Sequence, residues 1–421
     1  MKKLKAKNYF AIHSWLGVQL SMLFFVVCFS GTIAVFSHEL DWLFNSEMRA
    51  TPQEELASKN KILEQIKKQF PNHSISFWEK SRENYLCDFV HLENENGKLL
   101  YVFANPYTGK VQGYSSATIQ RFFRDLHYYL FIPFQIGHFL VLLFGFLLLG
   151  SLISGWKFMK NKRKHFFNLG KKNNTLAYHK NLHKTLALWS IPFVLLFSIT
   201  GIWYFTERAN LFSIEDFIED KEFEIVSNNN SSKINFSYSL DYDKAINIAK
   251  KEIPNFKFGS FVIPENNNTL LEVRGNSDVP LARYRANRVV INMKTNKVFF
   301  LQKATETNTL RTVNNIIDPL HFGYFGGILT KVIWFIFGLI ISYLTATGIW
   351  IYLKRISKNK KGSYVFKYVN WFLFIVIQVF MYCRLILEQT ISIQNHTIIL
   401  LFWLLFIYLI YHIFYKKIKH S

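Results

Sequence analysis

Cysteine is scarce in this chain of 421 residues, which contains only Cys28, Cys87 and Cys383. Cys28 and Cys383 lie in long apolar runs, and Cys87 stands alone in a polar segment. No CxxC pair is present, and the polar segment holds no second cysteine to which Cys87 could be linked. The sequence therefore excludes a disulfide within that segment and a cysteine-based metal site.

Nucleotide-binding motifs are absent as well. The sequence contains no GxGxxG, no P-loop and no flavin fingerprint. These motifs supply the glycine-rich backbone that holds the phosphates of a nucleotide cofactor. If the protein carries out redox chemistry, we expect it to take electrons from a separate cytoplasmic reductase or from a membrane quinol.

Acidic residues are few: 28 Asp and Glu stand against 50 Lys and Arg, for a formal net charge of +22. In a soluble protein, such an excess would suggest binding to nucleic acid. Here the basic residues cluster beside apolar runs, and half of the chain is hydrophobic. Basic clusters of this kind are typical of the cytoplasmic loops of a membrane protein. We therefore expect a lipid bilayer as the partner, and no nucleic acid.

Six apolar segments are long enough to cross a bilayer as helices. They cover residues 12–36, 136–157, 184–206, 328–353, 366–387 and 396–415. The N-terminal MKKLKAK resembles the start of a signal peptide, but the apolar run after it is too long, so an uncleaved anchor is expected. The four basic clusters fall on one side if all six helices span. This predicts a bacterial inner-membrane protein with cytoplasmic termini.

The two long polar segments are then predicted to lie outside, as small periplasmic α+β domains. Each has one stretch with helical spacing, followed by several strand-like runs. The predicted organisation is TM1 8–37, first outer domain 38–125, TM2 126–157, cytoplasmic loop 158–182, TM3 183–206, second outer domain 207–318, TM4 319–353, cytoplasmic loop 354–365, and a TM5–TM6 extension 366–415.

An internal repeat is visible in the first four helices. In the first helix, 18 residues separate His13 from Gly31, and in the third, 18 separate His183 from Gly201. Before the second and fourth helices, the repeated histidine stands in "RDLHYY" and "DPLHFG". The sequence thus predicts a duplicated helix, outer domain and helix, with four core helices. The last two helices have no counterpart.

The repeat places one histidine at the inner end of the first helix of each unit, and one at the outer side before the second. Ionisable residues in membrane segments are functional candidates, and imidazole can bind a metal, bind haem iron or relay protons. Because a straight helix from residue 13 to residue 36 is roughly 35 Å long, histidines from opposite ends cannot share one iron. If these rings bind haem iron, the feasible pairs are His13 with His183, and His127 with His321, with one site near each face of the membrane.

A simpler interpretation remains open at this point. Histidines at helix ends are often interfacial and hydrogen-bonded to the backbone or to lipid headgroups, and a duplication can copy such residues passively. The glycines beside the spans likewise suit plain helix packing. A zinc site is disfavoured, because no thiolate or carboxylate near these histidines completes a tetrahedral set.

Three further residues are secondary candidates. His138 and its counterpart in the repeat, Lys331, are basic, which suggests contacts to a haem propionate or at the interface. His179 lies four residues before His183 and is the alternative inner ligand. Pro133 is expected to break the helix between His127 and His138.

The stretches "IHSWLGVQLSMLFFVVCFSGTIAVFSHELD", "RDLHYYLFIPFQIGHF", "NLHKTLALWSIPFVLLFSITGIWYF" and "DPLHFGYFGG" resemble the PepSY-associated transmembrane family. The outer segments resemble PepSY domains, with "NPYTGKV" and "NMKTNKV" at their hairpins. The resemblance covers about residues 8–356. The family includes iron-regulated inner-membrane proteins and ferric-siderophore reductases.

The resemblance implies a di-haem membrane protein that reduces a periplasmic ferric siderophore or another ferric chelate and releases the iron. In this comparison the family histidines fall on His13, His183, His127 and His321, and a family arginine falls where His138 and Lys331 stand. The alternative is a non-enzymatic, membrane-anchored PepSY module that binds peptides or envelope proteins. A transporter is a third reading, disfavoured because the repeats look parallel and no broken helix is evident.

Overall fold

The structure is a computed structural model that describes residues 5–169, 175–211, 230–264, 269–356, 361–387 and 393–412. Parts of the predicted loops 158–182 and 354–365, of the second outer domain and of the last span lie outside the described residues. The described helices are α1 Ala6–Gln19, α2 Ser21–Ala34, α3 Ser37–Phe44, α4 Lys59–Gln69, α5 Ile119–Tyr129, α6 Phe134–Phe158, α7 Lys162–Phe166, α8 Thr175–Trp189, α9 Ile191–Arg208, α10 Asn230–Ser239, α11 Tyr242–Glu252, α12 Thr309–Phe322, α13 Gly327–Ile356, α14 Lys361–Leu387 and α15 Ile393–Tyr411.

Two of these helices are long and apolar enough to cross a membrane unbroken, Phe134–Phe158 and Gly327–Tyr352. The first and third predicted spans are not continuous helices, and on this point the sequence prediction was wrong. The pair α1 and α2 bends by 72°, and α8 and α9 bend by 64°. With each bent pair counted as one span, the described residues contain up to four spans. The stretches Tyr368–Cys383 and Ile399–Tyr411, from the two C-terminal helices, are shorter apolar helices.

The second bend has a local cause in the sequence. Pro192 stands in the first turn of α9, where it offers no N–H to the carbonyl four residues earlier. Proline is tolerated in the first turn of a helix but ends the preceding one. The first bend has no proline near it.

The helices pack through small residues. α6 packs against α1 and α9, and α2 packs against α13. A Cβ on Gly145 of α6 would lie 3.1 Å from the backbone of Gly201 in α9. The two backbones therefore approach closely at this crossing, as is common for glycine-containing membrane helices.

The described strands form one antiparallel sheet of eight in the order β4-β3-β2-β1-β5-β6-β7-β8. The strands are β1 His73–Glu79, β2 Asp88–Asn94, β3 Leu99–Ala104, β4 Val111–Ser115, β5 Lys257–Val262, β6 Leu270–Asn276, β7 Asn287–Asn292 and β8 Lys297–Gln302. The two predicted outer domains therefore share a single sheet, because β1 pairs with β5. In this joint Trp78 lies opposite Phe261.

One hydrophobic core runs beneath both halves of the sheet and is closed by α4, α10 and α11. The two halves also cap each other's helices. The Asp243 carboxylate accepts the N–H groups of Lys59 and Asn60 at 2.9 and 3.0 Å. In return, the Asn60 side-chain oxygen accepts the Tyr242 N–H at 2.9 Å. Both helix N-termini are thus satisfied across the joint.

The sheet is fastened to the helices on the side of His127 and His321. The Lys331 ammonium, in α13, bonds to Glu39 at 2.7 Å and to Glu83 in the β1–β2 loop at 2.5 Å. From the other half, the backbone N–H of Arg283 donates to the Asn315 carbonyl in α12 at 3.0 Å. Pro319 leaves that carbonyl without its helical partner, since proline has no N–H.

Candidate functional site

The outer histidines are brought together by the C-terminal turns of two helices, α5 and α12. The ring centroids of His127 and His321 lie 6.1 Å apart, with an angle of 37° between the ring planes. Two metal–nitrogen bonds of about 2 Å each, plus roughly 1 Å from each nitrogen to its ring centroid, give a separation of about 6 Å. The observed centroid separation is thus compatible with one metal ion between the two imidazoles.

Local sequence fixes the two helices that carry these rings. At the start of α5, the Thr118 hydroxyl accepts the Arg121 N–H. The buried Asp41 carboxylate accepts the N–H groups of Ile119 and Gln120 at 2.7 and 3.0 Å. α12 begins with Asn308 as its cap and ends at Gly323, whose φ of 71° suits glycine. Each histidine therefore stands in the last turn of a helix with a defined start.

The inner histidines also lie near each other. His13 and His183 are close enough for their imidazoles to interact electrostatically. His13 Nδ1 lies 2.9 Å from the Ser151 carbonyl oxygen in α6. His183 Nδ1 lies 3.0 Å from the Thr347 hydroxyl in α13. The two outer rings are thus in contact, and the two inner rings interact electrostatically, whereas haem binding by either pair stays a prediction.

Hydrogen bonds fix the tautomer of the two rings that face carbonyl oxygens. His127 Nδ1 lies 2.8 Å from the Val27 carbonyl oxygen, and His13 Nδ1 faces the Ser151 carbonyl. A carbonyl oxygen can only accept, so Nδ1 carries the proton in each neutral ring. The lone pair is then on Nε2.

The other two rings reach the same tautomer through threonine. The Thr200 hydroxyl, 2.8 Å from His321 Nδ1, donates its own proton to the Leu196 carbonyl at 2.9 Å. The Thr347 hydroxyl likewise donates to the Tyr343 carbonyl at 2.7 Å. With its proton engaged, each hydroxyl accepts from the facing Nδ1. In this tautomer all four histidines keep the lone pair on Nε2 and are oriented by a bond at Nδ1, an arrangement that is usual for ligating histidines.

Glycines let these rings lie against neighbouring helices. A Cβ on Gly31 would lie 2.6 Å from both Nδ1 and Cε1 of His127. For Gly155 and Gly348, the Cβ would lie 3.3 Å from His13 Cε1 and 3.5 Å from Cε1 of the other inner histidine. The glycines at 31, 155 and 348 therefore lie against histidine rings, whereas Gly201 packs against Gly145 of α6.

The pairs occupy different levels of the bundle. On α13, Gly338 lies against Thr32, next in sequence to the glycine that contacts His127. Further along the same helix, Thr347 contacts His183. Nine residues of helix separate these two points, or about 14 Å at 1.5 Å per residue. The arrangement therefore offers two sites along the helix direction.

Comparison with known families agrees with this architecture. A family model described as the PepSY-associated TM region matches residues 10–355. The chain belongs to the PepSY-associated TM family. No curated protein matches it. Membership supports a membrane protein with transmembrane helices, and the match spans both bent helix pairs, both histidine pairs and the shared sheet of this PepSY-associated TM protein.

A metal ion alone fits these sites poorly. Among the described residues, no group of three or more His, Cys, Asp or Glu side chains could hold a metal ion. Each pair supplies two nitrogens, whereas a zinc site requires four ligands. Haem fits this donor set, because the porphyrin brings four equatorial nitrogens and needs only axial ligands from the protein.

The secondary candidates take other positions. The ammonium of Lys331 is committed to Glu39 and Glu83, so it joins the sheet to the helices. His179 Nδ1 lies 2.9 Å from the Tyr343 hydroxyl, and its ring packs on Trp350 at 4.9 Å. Its predicted role as alternative inner ligand stays a prediction.

His138 is the least expected of these residues. Pro133 separates α5 from α6, as the sequence predicts, and His138 lies one turn into α6. Its ring is 5% exposed, packs between Tyr128 and Phe134, and has no hydrogen-bond partner at either nitrogen within the described part of the chain. Its predicted contact with a propionate stays a prediction.

Sequence reasoning missed the groups that orient the histidines. Thr200 and Thr347 each precede a glycine in a "TG" dipeptide, so the dipeptides were visible in the sequence. Their hydrogen bonds to histidine rings were not. The carbonyls of Val27 and Ser151 carry no side-chain signal. Only the three-dimensional packing of α2 on α5 and of α6 on α1 identifies them.

Proposed function

We propose that this protein is a di-haem electron-transfer protein of the bacterial inner membrane that reduces a ferric siderophore or a similar ferric chelate on the periplasmic side. The observation that carries the proposal is the arrangement of four histidines, each hydrogen-bonded at Nδ1, at two levels of the bundle. The ring-to-ring contact of His127 and His321 favours a shared ligand over separate interfacial roles.

His13 and His183 would hold the inner haem, and His127 and His321 the outer one. When bound, each haem b supplies a one-electron Fe(III)/Fe(II) couple. The protein's own contribution is to hold each imidazole through Nδ1, which raises the basicity of Nε2 and prevents the ring from turning. The glycines beside the rings give a flat macrocycle access to the helix surface.

The direction of the reaction rests on the charge pattern and the family. Basic clusters flank the ends of the helices nearest the inner pair, which favours a cytoplasmic location for that end. The donor would then be a cytoplasmic reductase or a quinol. The shared sheet beside the outer pair would face the periplasm and the ferric substrate. Reduction of Fe(III) to Fe(II) weakens its binding by hard oxygen ligands and releases the iron.

The two bends support the proposal that the core is a duplicated unit. The break at Leu20 follows His13 by seven residues, and the break at Ser190 follows His183 by seven. The bend angles of 72° and 64° are similar. Each inner histidine therefore stands on a short inner helix set at an angle to the rest of its span.

A broken span invites comparison with transporters, where half-helices bind substrate at mid-membrane. The absence of broken helices cannot be used against that reading, because the structure contains two. The groups at these sites argue for a cofactor instead: paired imidazoles with free Nε2 atoms suit iron better than a passing substrate.

The test is the reduced-minus-oxidised optical spectrum of the purified protein. We expect b-type absorbance with two haems per chain. His127→Ala should remove one haem and leave the other, and His179→Ala, a histidine that faces Tyr343 and Trp350, should keep both. A colourless protein whose four paired histidines all tolerate alanine would refute the proposal and favour the non-enzymatic PepSY module.

A further inference from the structure

A break inside a membrane helix exposes backbone groups that the helix would otherwise satisfy. At the first bend, the last carbonyls of α1 and the first N–H groups of α2 lose their intrahelical partners. In an apolar environment each unsatisfied group is expensive, so a partner must come from elsewhere.

One side chain of the C-terminal extension meets two of these groups. Asn370, on α14, accepts the Met22 N–H at 3.0 Å through Oδ1. Its Nδ2 donates to the Gln19 carbonyl at 3.2 Å. The side chain therefore bridges the end of α1 and the start of α2. Asn370 is only 3% exposed, and its neighbours in the sequence "YVNWFLF" are apolar or aromatic.

The second bend solves the same problem differently. Met22 follows His13 by nine residues, and Pro192 follows His183 by nine. The backbone N–H of Met22 needs an acceptor, whereas Pro192, at the matching position of the second half, has no N–H to satisfy. The first half has an N–H at that place and draws its acceptor from a helix beyond the repeated region.

We infer that Asn370 is a positioning residue for the inner histidine pair: it holds the bend between α1 and α2, and through α1 it sets the place of His13 beside His183. This gives the C-terminal extension a role, since α14 packs on both α1 and α2. The role of Asn370 at the bend rests on its two hydrogen bonds alone. Its consequence for electron transfer rests on the proposed function.

The first test measures amide hydrogen exchange of the full-length protein in peptides that cover residues 19–24. In Asn370→Leu we expect exchange at the Met22 amide to accelerate about tenfold, which is the factor that the loss of one such bond carries. Gln378→Leu, which removes the other side-chain amide of α14, is the matched control and should leave these peptides unchanged.

Asn370→Asp separates hydrogen bonding from packing. A protonated carboxyl donates and accepts like the amide, whereas the ionised carboxylate only accepts. We therefore expect the Met22 amide to stay protected in Asn370→Asp in both acidic and alkaline buffer, each compared with the wild type at the same pH, because either form of the carboxyl accepts its N–H. Only the bond to the Gln19 carbonyl, which needs a donor, should be lost in alkaline buffer. Loss of protection at Met22 in Asn370→Asp would contradict the hydrogen bond even if Asn370→Leu fails to fold.

The readout for positioning is haem content. In the loaded protein, Asn370→Leu should lower haem from two per chain toward one, with the His127/His321 site retained. Unchanged exchange in Asn370→Leu, or an Asn370→Asp protein whose Met22 amide exchanges faster than in the wild type, would overturn the inference. If the wild type binds no haem, the proposed function fails, while the exchange experiments still decide the role of Asn370.

Discussion

Replacing Gly31 by alanine tests how tightly the outer histidine is seated. A Cβ at this position would lie 2.6 Å from His127 Nδ1 and Cε1, whereas ordinary contacts of this kind are 3.4–4 Å. The ring must therefore move by about 1 Å, and it cannot do so freely, because its Nδ1 is bonded to the Val27 carbonyl at 2.8 Å.

The matched control is Gly17→Ala in α1, where a Cβ would meet nothing within 4 Å. Alanine is favoured over glycine in a helix by roughly 0.5–1 kcal/mol, so Gly17→Ala should stabilise the protein slightly. Overpacking costs about 1–3 kcal/mol, so Gly31→Ala should be destabilising despite the same gain in helix propensity. Gly348→Ala, with its Cβ 3.5 Å from the nearest histidine atom, should resemble the control.

Thermal denaturation of the three variants in one detergent gives the comparison. Gly31→Ala should melt below the wild type, and Gly17→Ala at or above it. In the haem-loaded protein, Gly31→Ala should also perturb the spectrum of one haem only. Equal melting temperatures for the two variants would refute the close seating of His127.

Two further predictions concern the shared sheet. Lys331→Met should lower the free energy of unfolding by about 2 kcal/mol, because it leaves two partly buried carboxylates without their ammonium partner. Lys257→Met breaks only an exposed pair and should leave the free energy of unfolding nearly unchanged in the same denaturant titration. Burial, with Arg121 and Arg124 nearby, lowers the pKa of His91 from 6.5 to about 3. The neutral ring therefore contributes stability above pH 6.5 that is lost as the pH falls, about 2 kcal/mol at pH 5, and melting curves of His91→Phe should show a shallower acid loss than the wild type.

Much of the site could be predicted from the sequence because the repeat marks it. Matched spacing singled out His13, His183, His127 and His321, and the helix-length argument predicted their pairing, which agrees with the contact between the two outer rings. The strands of each half also followed from alternating apolar residues. These features depend on local pattern, which a single sequence records directly.

The joint between the two halves could not be predicted in the same way. β1 and β5 meet edge to edge through backbone hydrogen bonds. The side chains of Trp78 and Phe261 do not indicate whether their strands lie at the edge of a sheet or in its middle. The reciprocal caps between Asn60 and Asp243 look like ordinary helix starts in the sequence. Long-range pairing of this kind is set by the whole fold rather than by any one segment.

The two bends show the same contrast. Pro192 marks the second break in the sequence, although its position inside an apolar run favoured an uninterrupted span. The first break, at Leu20, has no such marker, and its partner Asn370 lies in a helix outside the repeat. A lone asparagine in an apolar helix was the available signal.

The strand pair β1–β5 also sets the order in which the chain can fold. All the helices from α5 to α11 lie between these two strands in the sequence. During synthesis, the first four strands therefore emerge with β1 as an open edge, and that edge has no partner until the chain has been made as far as β5. An open edge of this kind invites pairing with other chains, and such non-local closure is slow. A chain cut short after α9 would lack β5–β8 and would leave the edge of β1 exposed.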